Sequence, residues 1–586
     1  MKIFKRVLCV VLAAALSMSV TACSLFGKKA KLPFDEFCEN FFVDSVSDPL
    51  NAHFTISDEK TYGITFDKDD YNLGNFDLDE ATASYKSMRE SYNELCAYDY
   101  DKLNENQKVT YTCLKAYLEI QLAYEGSDII CNVFAPNSGI FANLSTNFVE
   151  YVFYDKDDVD EYLILLEDVK RFANESFAFA RLQSDKGYFM ADNTVNSAIK
   201  VCRDYLDAEV DPYIATFEAK INAMDLTDDE KHEYIEKNRK IVEENVRPSY
   251  EKAIDVLEEL KGTAKNNGGL AGFGKEGKKY YEAIVMDKTS SSMTPDEVAD
   301  YLDEKLTETI TELGLIQSTN PNAISEWSEY EPDERTPKEV LEFILSNMSK
   351  DFPKPATEKF SIEYQLPACE IEGTLAYYVT ARIDDISVNN IKVNGSAVKD
   401  DALQLYTTMA HEGYPGHLYQ FTGFYDSDAA NVRKVLDFIC STEGWAQYVS
   451  NVAVDYLDVS DDVKRLIYID NILSYIIPSR VDIGVNYEGW GLKETGEYLS
   501  NVYNISDDYE NDPTVTYFYD FVVSEPGLLL PYTIGELKMN DLRDKAELEL
   551  SDRFDALEYH TFIMECGIAP IAYYEDALSD WIDSKK

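Results

Sequence analysis

The chain has 586 residues, with 54 Lys and Arg against 108 Asp and Glu, a net charge of −54. An acidic chain of that charge would suit disorder, but 45% hydrophobic residues, with 42 Tyr and 29 Phe among the aromatics, carry too much apolar surface for it. The length exceeds what one hydrophobic core fills, so two lobes are expected, and the acidic balance excludes nucleic acid and electrostatic docking on anionic lipid.

The first predicted element is an export signal. Lys2, Lys5 and Arg6 precede an apolar run, Val7 to Met18, that is too short to span a bilayer comfortably. Val20-Thr21-Ala22-Cys23 then resembles a bacterial lipobox, in which Cys23 is lipidated and becomes the mature N-terminus. The alternative is an ordinary secretory signal with a coincidental cysteine. On the lipoprotein reading, residues 1–22 are the signal peptide, 23–34 a tether and 35–586 the body, anchored to the bacterial membrane at the cell surface. Cleavage removes three positive charges, leaving 51 basic against 108 acidic residues and a net of −57. Eight further cysteines are scattered from Cys38 to Cys566 without a CxxC pair, which disfavours a cysteine-based zinc site.

Helical periodicity dominates the body. The stretch from Asp204 to Lys261 is rich in Glu, Lys, Ala and Leu, and Thr227 to Glu230 and Thr294 to Glu297 both fit capping boxes. Between them a Gly-rich loop, from Asn266 to Gly277, marks a boundary between lobes 35–265 and 266–586. That loop spells GxGxxG and GxxxxGK, but no strand leads into it, and Glu276 stands where a phosphate loop needs Ser or Thr. Short β-prone runs at Thr374 to Val379 and Ile391 to Val393 predict a small sheet or hairpin. Beyond Asp400 the pattern is helical to the end.

Two of the five histidines fall in one heptapeptide, His411-Glu412-Gly413-Tyr414-Pro415-Gly416-His417. Ala402, Leu405, Tyr406, Met409 and Ala410 recur ahead of it at helical spacing, which sets His411 on the less apolar face. The start resembles an HExxH zinc helix, in which two His hold the metal and the Glu activates water. The spacing fails on a regular helix, because six residues advance about 600° and about 9 Å. Pro415 lacks an N–H and its ring would strike the His411 carbonyl, while Gly416 tolerates unusual angles. The helix is therefore expected to be distorted between Tyr414 and His417, bringing His417 to the place of a second ligand.

These residues resemble the DUF885 family, within the wider zincin-like metallopeptidases, whose hallmark HExxPGH is matched from His411 to His417. Further matches follow in order at Glu443-Gly444-Trp445-Ala446, Arg480 to Gly484, Pro526-Gly527, Tyr532, Ile534-Gly535, Leu542-Arg543 and the tail holding His560. Many members carry a second His after the motif, where Leu418 stands here. The resemblance implies a mainly α, two-lobed zincin-like architecture around a deep cleft, with a small β element before the metal-binding helix. It also implies one Zn²⁺ held by His411, His417 and Glu443, with Glu412 as general base. Tyr532 and His560 are candidate oxyanion donors, and Arg480 and Arg543 candidate partners of a substrate carboxylate. The structural alternatives are a salt bridge or cap for Glu443, core roles for Tyr532 and His560, and internal pairing of the arginines with Asp482 or Asp541. The expected function is an exported zinc-dependent hydrolase acting on small peptides. The rivals are a surface lipoprotein that binds peptide without turnover, and a hydrolase of another amide.

Overall fold

Good helix formers punctuated by Thr and Asp caps give a mainly helical protein. The computed structural model describes residues 32–370, 373–398 and 401–586; Cys23 and the signal peptide lie outside them. Both expected capping boxes form. Thr227 opens the helix Asp228–Ile241, and Thr294 opens Pro295–Thr319 with Pro295 at its first position. The helical stretch before the Gly-rich loop divides into Pro212–Ala223, Asp228–Ile241 and Arg247–Leu260, the last two joined through a wide turn at Val242–Val246.

Three short strands form one sheet: β1 (Ser361–Tyr364), β2 (Ala376–Val379) and β3 (Asn390–Val393). The order is β1-β3-β2, with β1 parallel and β2 antiparallel to β3, so β2 is an edge strand. The two predicted runs are β2 and β3. β1 was not expected, since its residues are mostly exposed and offer little apolar alternation. Tyr378 pairs with Ile391 and Tyr377 with Lys392, so successive residues of β2 face opposite sides.

Among the described residues the two largest apolar cores do not part at the Gly-rich loop. One gathers Phe34, Phe42 and Leu114 with residues from Leu270 to Ile582. The other lies wholly between Leu50 and Leu260. The expected division at 265 therefore needs correction, because the chain's first helices pack into the C-terminal core. Within that core the helices Ile439–Val454 and Leu530–Leu550 cross at Gly444 and Gly535. A Cβ on either glycine would strike the other's backbone, so only glycine lets the two helices meet this closely. Among the described residues, no helix is long and apolar enough to cross a membrane.

Candidate metal centre

The helix Ala402–Glu412, capped by Asp401, ends at Glu412, and a new helix, His417–Tyr425, begins at the second histidine. The break falls where Pro415 and Gly416 were expected to force it. The Tyr414–Pro415 bond is cis. A Cβ at Gly416 would collide with the His411 carbonyl, which explains why this corner needs glycine. Two buried side chains pin the corner. Trp445 Nε1 donates to the Pro415 carbonyl at 2.9 Å, and Tyr414 OH donates to the Thr357 carbonyl at 2.8 Å.

The break turns the two imidazoles toward each other, with ring centroids 4.7 Å apart and planes at 89°. Glu443, on the second turn of the Ile439–Val454 helix and 1% exposed, completes the group. Its Oε2 lies 3.4 Å from His411 Nε2 and 3.5 Å from His417 Nε2. Tetrahedral ligands at 2.0–2.1 Å from a zinc ion stand about 3.3–3.4 Å from one another, so these separations match. His411, His417 and Glu443 are the group of potential metal ligands found among the described residues, their ligand atoms all within 4.8 Å of one another.

The unpaired polar atoms of the cluster point the same way. His411 Nε2, His417 Nδ1 and both Glu443 oxygens are buried without a hydrogen-bond partner. Each such group costs about 1–3 kcal/mol when left unpaired; a shared cation would engage His411 Nε2 and Glu443, whereas His417 Nδ1 points away from the Nε2 that faces Glu443. Burial opposes charge on both partners here, and their mutual attraction overcomes it. Glu443, with Glu412 behind it, holds His417 above the usual histidine value, while the two imidazoles hold the Glu443 carboxyl down at about 2.

Glu412 stands beside the cluster but is oriented by the sheet. Its Oε2 accepts the Tyr378 backbone N–H at 2.9 Å, from the edge strand β2, and its Oε1 lies 3.9 Å from His411 Nε2. Sequence reasoning missed Tyr378, because a backbone donor leaves no signal in residue type. On the other side of the triad, Gln447 lies one turn beyond Glu443 and donates to Tyr475 OH at 2.8 Å. Tyr475 stacks on Tyr532 at 5.9 Å. Tyr532, a turn before Gly535 at the helix crossing, is thus linked through Tyr475 to Gln447, one turn from Glu443. Neither Gln447 nor Tyr475 was singled out from sequence.

The other candidates are placed differently. His560 is 0% exposed and stacked on Phe352, with Nδ1 2.6 Å from the Asp351 carbonyl and Nε2 2.7 Å from Tyr448 OH. The carbonyl only accepts, so Nδ1 carries the proton and Nε2 takes the tyrosine's. Burial pushes the imidazole pKa down to about 3. With both nitrogens engaged, His560 has no donor left for an oxyanion, and that expectation is withdrawn; it braces Trp445 from behind. Arg480 is buried against Asp303 and Glu488 and lies over the Trp490 ring. Arg543 pairs with Glu547. Both guanidiniums meet the protein's own acids, so neither is carried forward as a carboxylate receptor. The partners are not the expected ones, since Asp482 accepts from Tyr281, Asn486 and Gly527, and Asp541 from Tyr301 and Lys305.

Beyond Gln447 the buried network continues through Asn451, whose Nδ2 donates to Glu536 Oε1 at 2.7 Å. Burial, partly offset by that bond, pushes the Glu536 carboxyl up to about 8 from an ordinary 4.5. The native state therefore holds a proton the unfolded chain releases, so this contribution to stability is full below about pH 4.5 and is lost as pH rises through about 8. Glu536→Gln is expected to melt with the native protein at pH 5 and progressively above it toward pH 8.5, by up to roughly 4 kcal/mol. A pH-independent difference in melting temperature would contradict the assignment.

The fold and cluster define a mainly helical protein with a buried His–His–Glu group at a broken helix. The model of DUF885, described as a bacterial protein of unknown function, matches residues 58–578, and the chain belongs to that family. Two solved bacterial proteins share the fold. One, described as a "putative lipoprotein" from Colwellia psychrerythraea, superposes with a TM-score of 0.79 at 16% identity, over 94% of this chain and 99% of that one. The other, a "putative lipoprotein of unknown function" from Shewanella oneidensis, gives 0.63 at 13% identity, over 93% and 99%. No curated protein sequence matches the chain.

Proposed function

We propose that this protein is an exported, lipid-anchored zinc-dependent hydrolase that cleaves small peptides at the bacterial cell surface. The observation that carries the reading is the convergence of His411, His417 and Glu443, with Glu412 held beside them. Two imidazoles and one carboxylate are a donor set suited to zinc, and three protein ligands leave a position open for chemistry. A divalent ion there supplies electrophilic polarisation of a carbonyl and acidifies a water.

The chain's own residues supply the rest. The Tyr378 N–H keeps Glu412 Oε2 in place, so Oε1 is the oxygen that takes the proton from the attacking water and hands it to the leaving amine. Tyr532 is the candidate donor to the developing oxyanion. The outer edge of β2 borders Glu412. The lipoprotein half of the reading rests on the lipobox at Cys23 and on the description of both structural relatives.

Incubating zinc-loaded protein with a mixed peptide library and reading new termini by mass spectrometry tests the activity. An unaltered library, with zinc bound, would sink the hydrolase and leave a binding protein. Separately, Cys23→Ser is expected to move the protein from the membrane fraction into the soluble one; membrane retention of the variant would remove the lipid anchor.

A further inference from the structure

We propose that a cavity on the Tyr377 side of β2 receives the body of the substrate peptide, and that it selects uncharged peptides bearing apolar or aromatic side chains. This rests on the peptidase reading above for the identity of the ligand, while the cavity itself stands on separate residues. Its volume is about 650 Å³, inside the range of about 300–1,000 Å³ typical of small-ligand sites. Helix Ile140–Glu150 forms one wall and helix Asp192–Asp207 another, with Gln365 and Tyr377 on the side of the sheet.

Position ties this cavity to the chemistry. Tyr377 lines it, and the next residue's N–H holds Glu412 Oε2 at 2.9 Å. Two covalent bonds separate the Tyr377 Cα from that nitrogen, so the strand bordering the cavity lies within about 6 Å of the Glu412 carboxylate. The cavity is not lined by His411, His417 or Glu443.

The lining chooses the ligand. Gln365 gives its amide N–H to Tyr377 OH, which itself donates to Glu150 at 2.7 Å. Gln365 Oε1 is buried and left without a partner, an acceptor that a turn of the side chain would bring to a peptide N–H in the cavity. Phe141, Tyr205 and Tyr250 supply aromatic surface. The lining charges are already engaged. Lys200 and Asp204 pair with each other at 2.6 Å where both are exposed, and Glu370 accepts from Ser396. Nothing in the lining therefore calls for a charged ligand, in spite of the protein's net charge.

The test is calorimetric binding of an N-acetylated, C-amidated hexapeptide with a central Phe to zinc-loaded Glu412→Gln protein, which removes turnover from the readout. Adding Ser197→Trp, which fills the cavity from the solvent side of its helix, or Gln365→Leu, which removes the acceptor, is expected to weaken binding at least tenfold each. A counterpart with Asp at the central position is expected to bind at least tenfold more weakly. Should Ser197→Trp fail to fold, Gln365→Leu decides. Equal affinity in the folded variants, or no binding to the parent protein, overturns the proposal. Binding that depends on Ser197 and Gln365 in a protein that cleaves no peptide would retain the cavity and reject the hydrolase.

Discussion

Glu412→Gln is expected to keep its metal and its melting temperature while losing peptide turnover by about 10²–10⁴-fold, the usual share of a general base. The substitution is nearly isosteric, and its amide oxygen can still accept the Tyr378 N–H, so the sheet contact that orients the side chain survives. What disappears is the ability to take a proton. The loss belongs in kcat and kcat/KM together, because the proton moves only as the reaction proceeds. Turnover equal to that of the native protein would remove Glu412 as the base, whatever the metal content.

The second large effect concerns the frame rather than the chemistry. Gly444→Val places a branched side chain where the helices Ile439–Val454 and Leu530–Leu550 meet backbone to backbone. Neither helix can withdraw cheaply, since one carries Glu443 and the other is packed along the same core with Ile534, Leu537 and Met539. A destabilisation of about 3 kcal/mol or more is expected, at the upper end for overpacking a core. Because Glu443 is the adjacent residue, zinc affinity should fall as well. Denaturant unfolding measures the first and metal titration the second; an unchanged unfolding midpoint would show that the crossing is looser than the glycine contacts require.

How much of this was legible depends on whether the signal is local. The broken helix was, because Pro415 and Gly416 act on the carbonyl of His411 within one turn of chain. The capping boxes at Thr227 and Thr294 were legible for the same reason. Glu443 came only from family resemblance, since nothing near it in sequence marks a ligand; its role depends on a helix that packs across from His411. His560 shows the converse error. Residue type advertises a donor, but whether its nitrogens are free is decided by Asp351 and Tyr448, distant in the chain. Arg480 finds Asp303 in the same way, across 177 residues, rather than its near neighbour Asp482. A Gly-rich loop marks a turn in the chain, while a core is defined by what packs, and Phe34, Phe42 and Leu114 pack with the C-terminal helices.

On the proposed reading, the net charge and the lipobox describe where the protein works, and His411, His417 and Glu443 what it does there. The zinc content of purified native protein, measured by mass spectrometry of the metal beside that of His417→Ala, tests this most directly. About one zinc ion per native chain and background in the variant is the expected result. A native protein that takes up no divalent ion, or a variant that keeps its zinc, would contradict the metal centre.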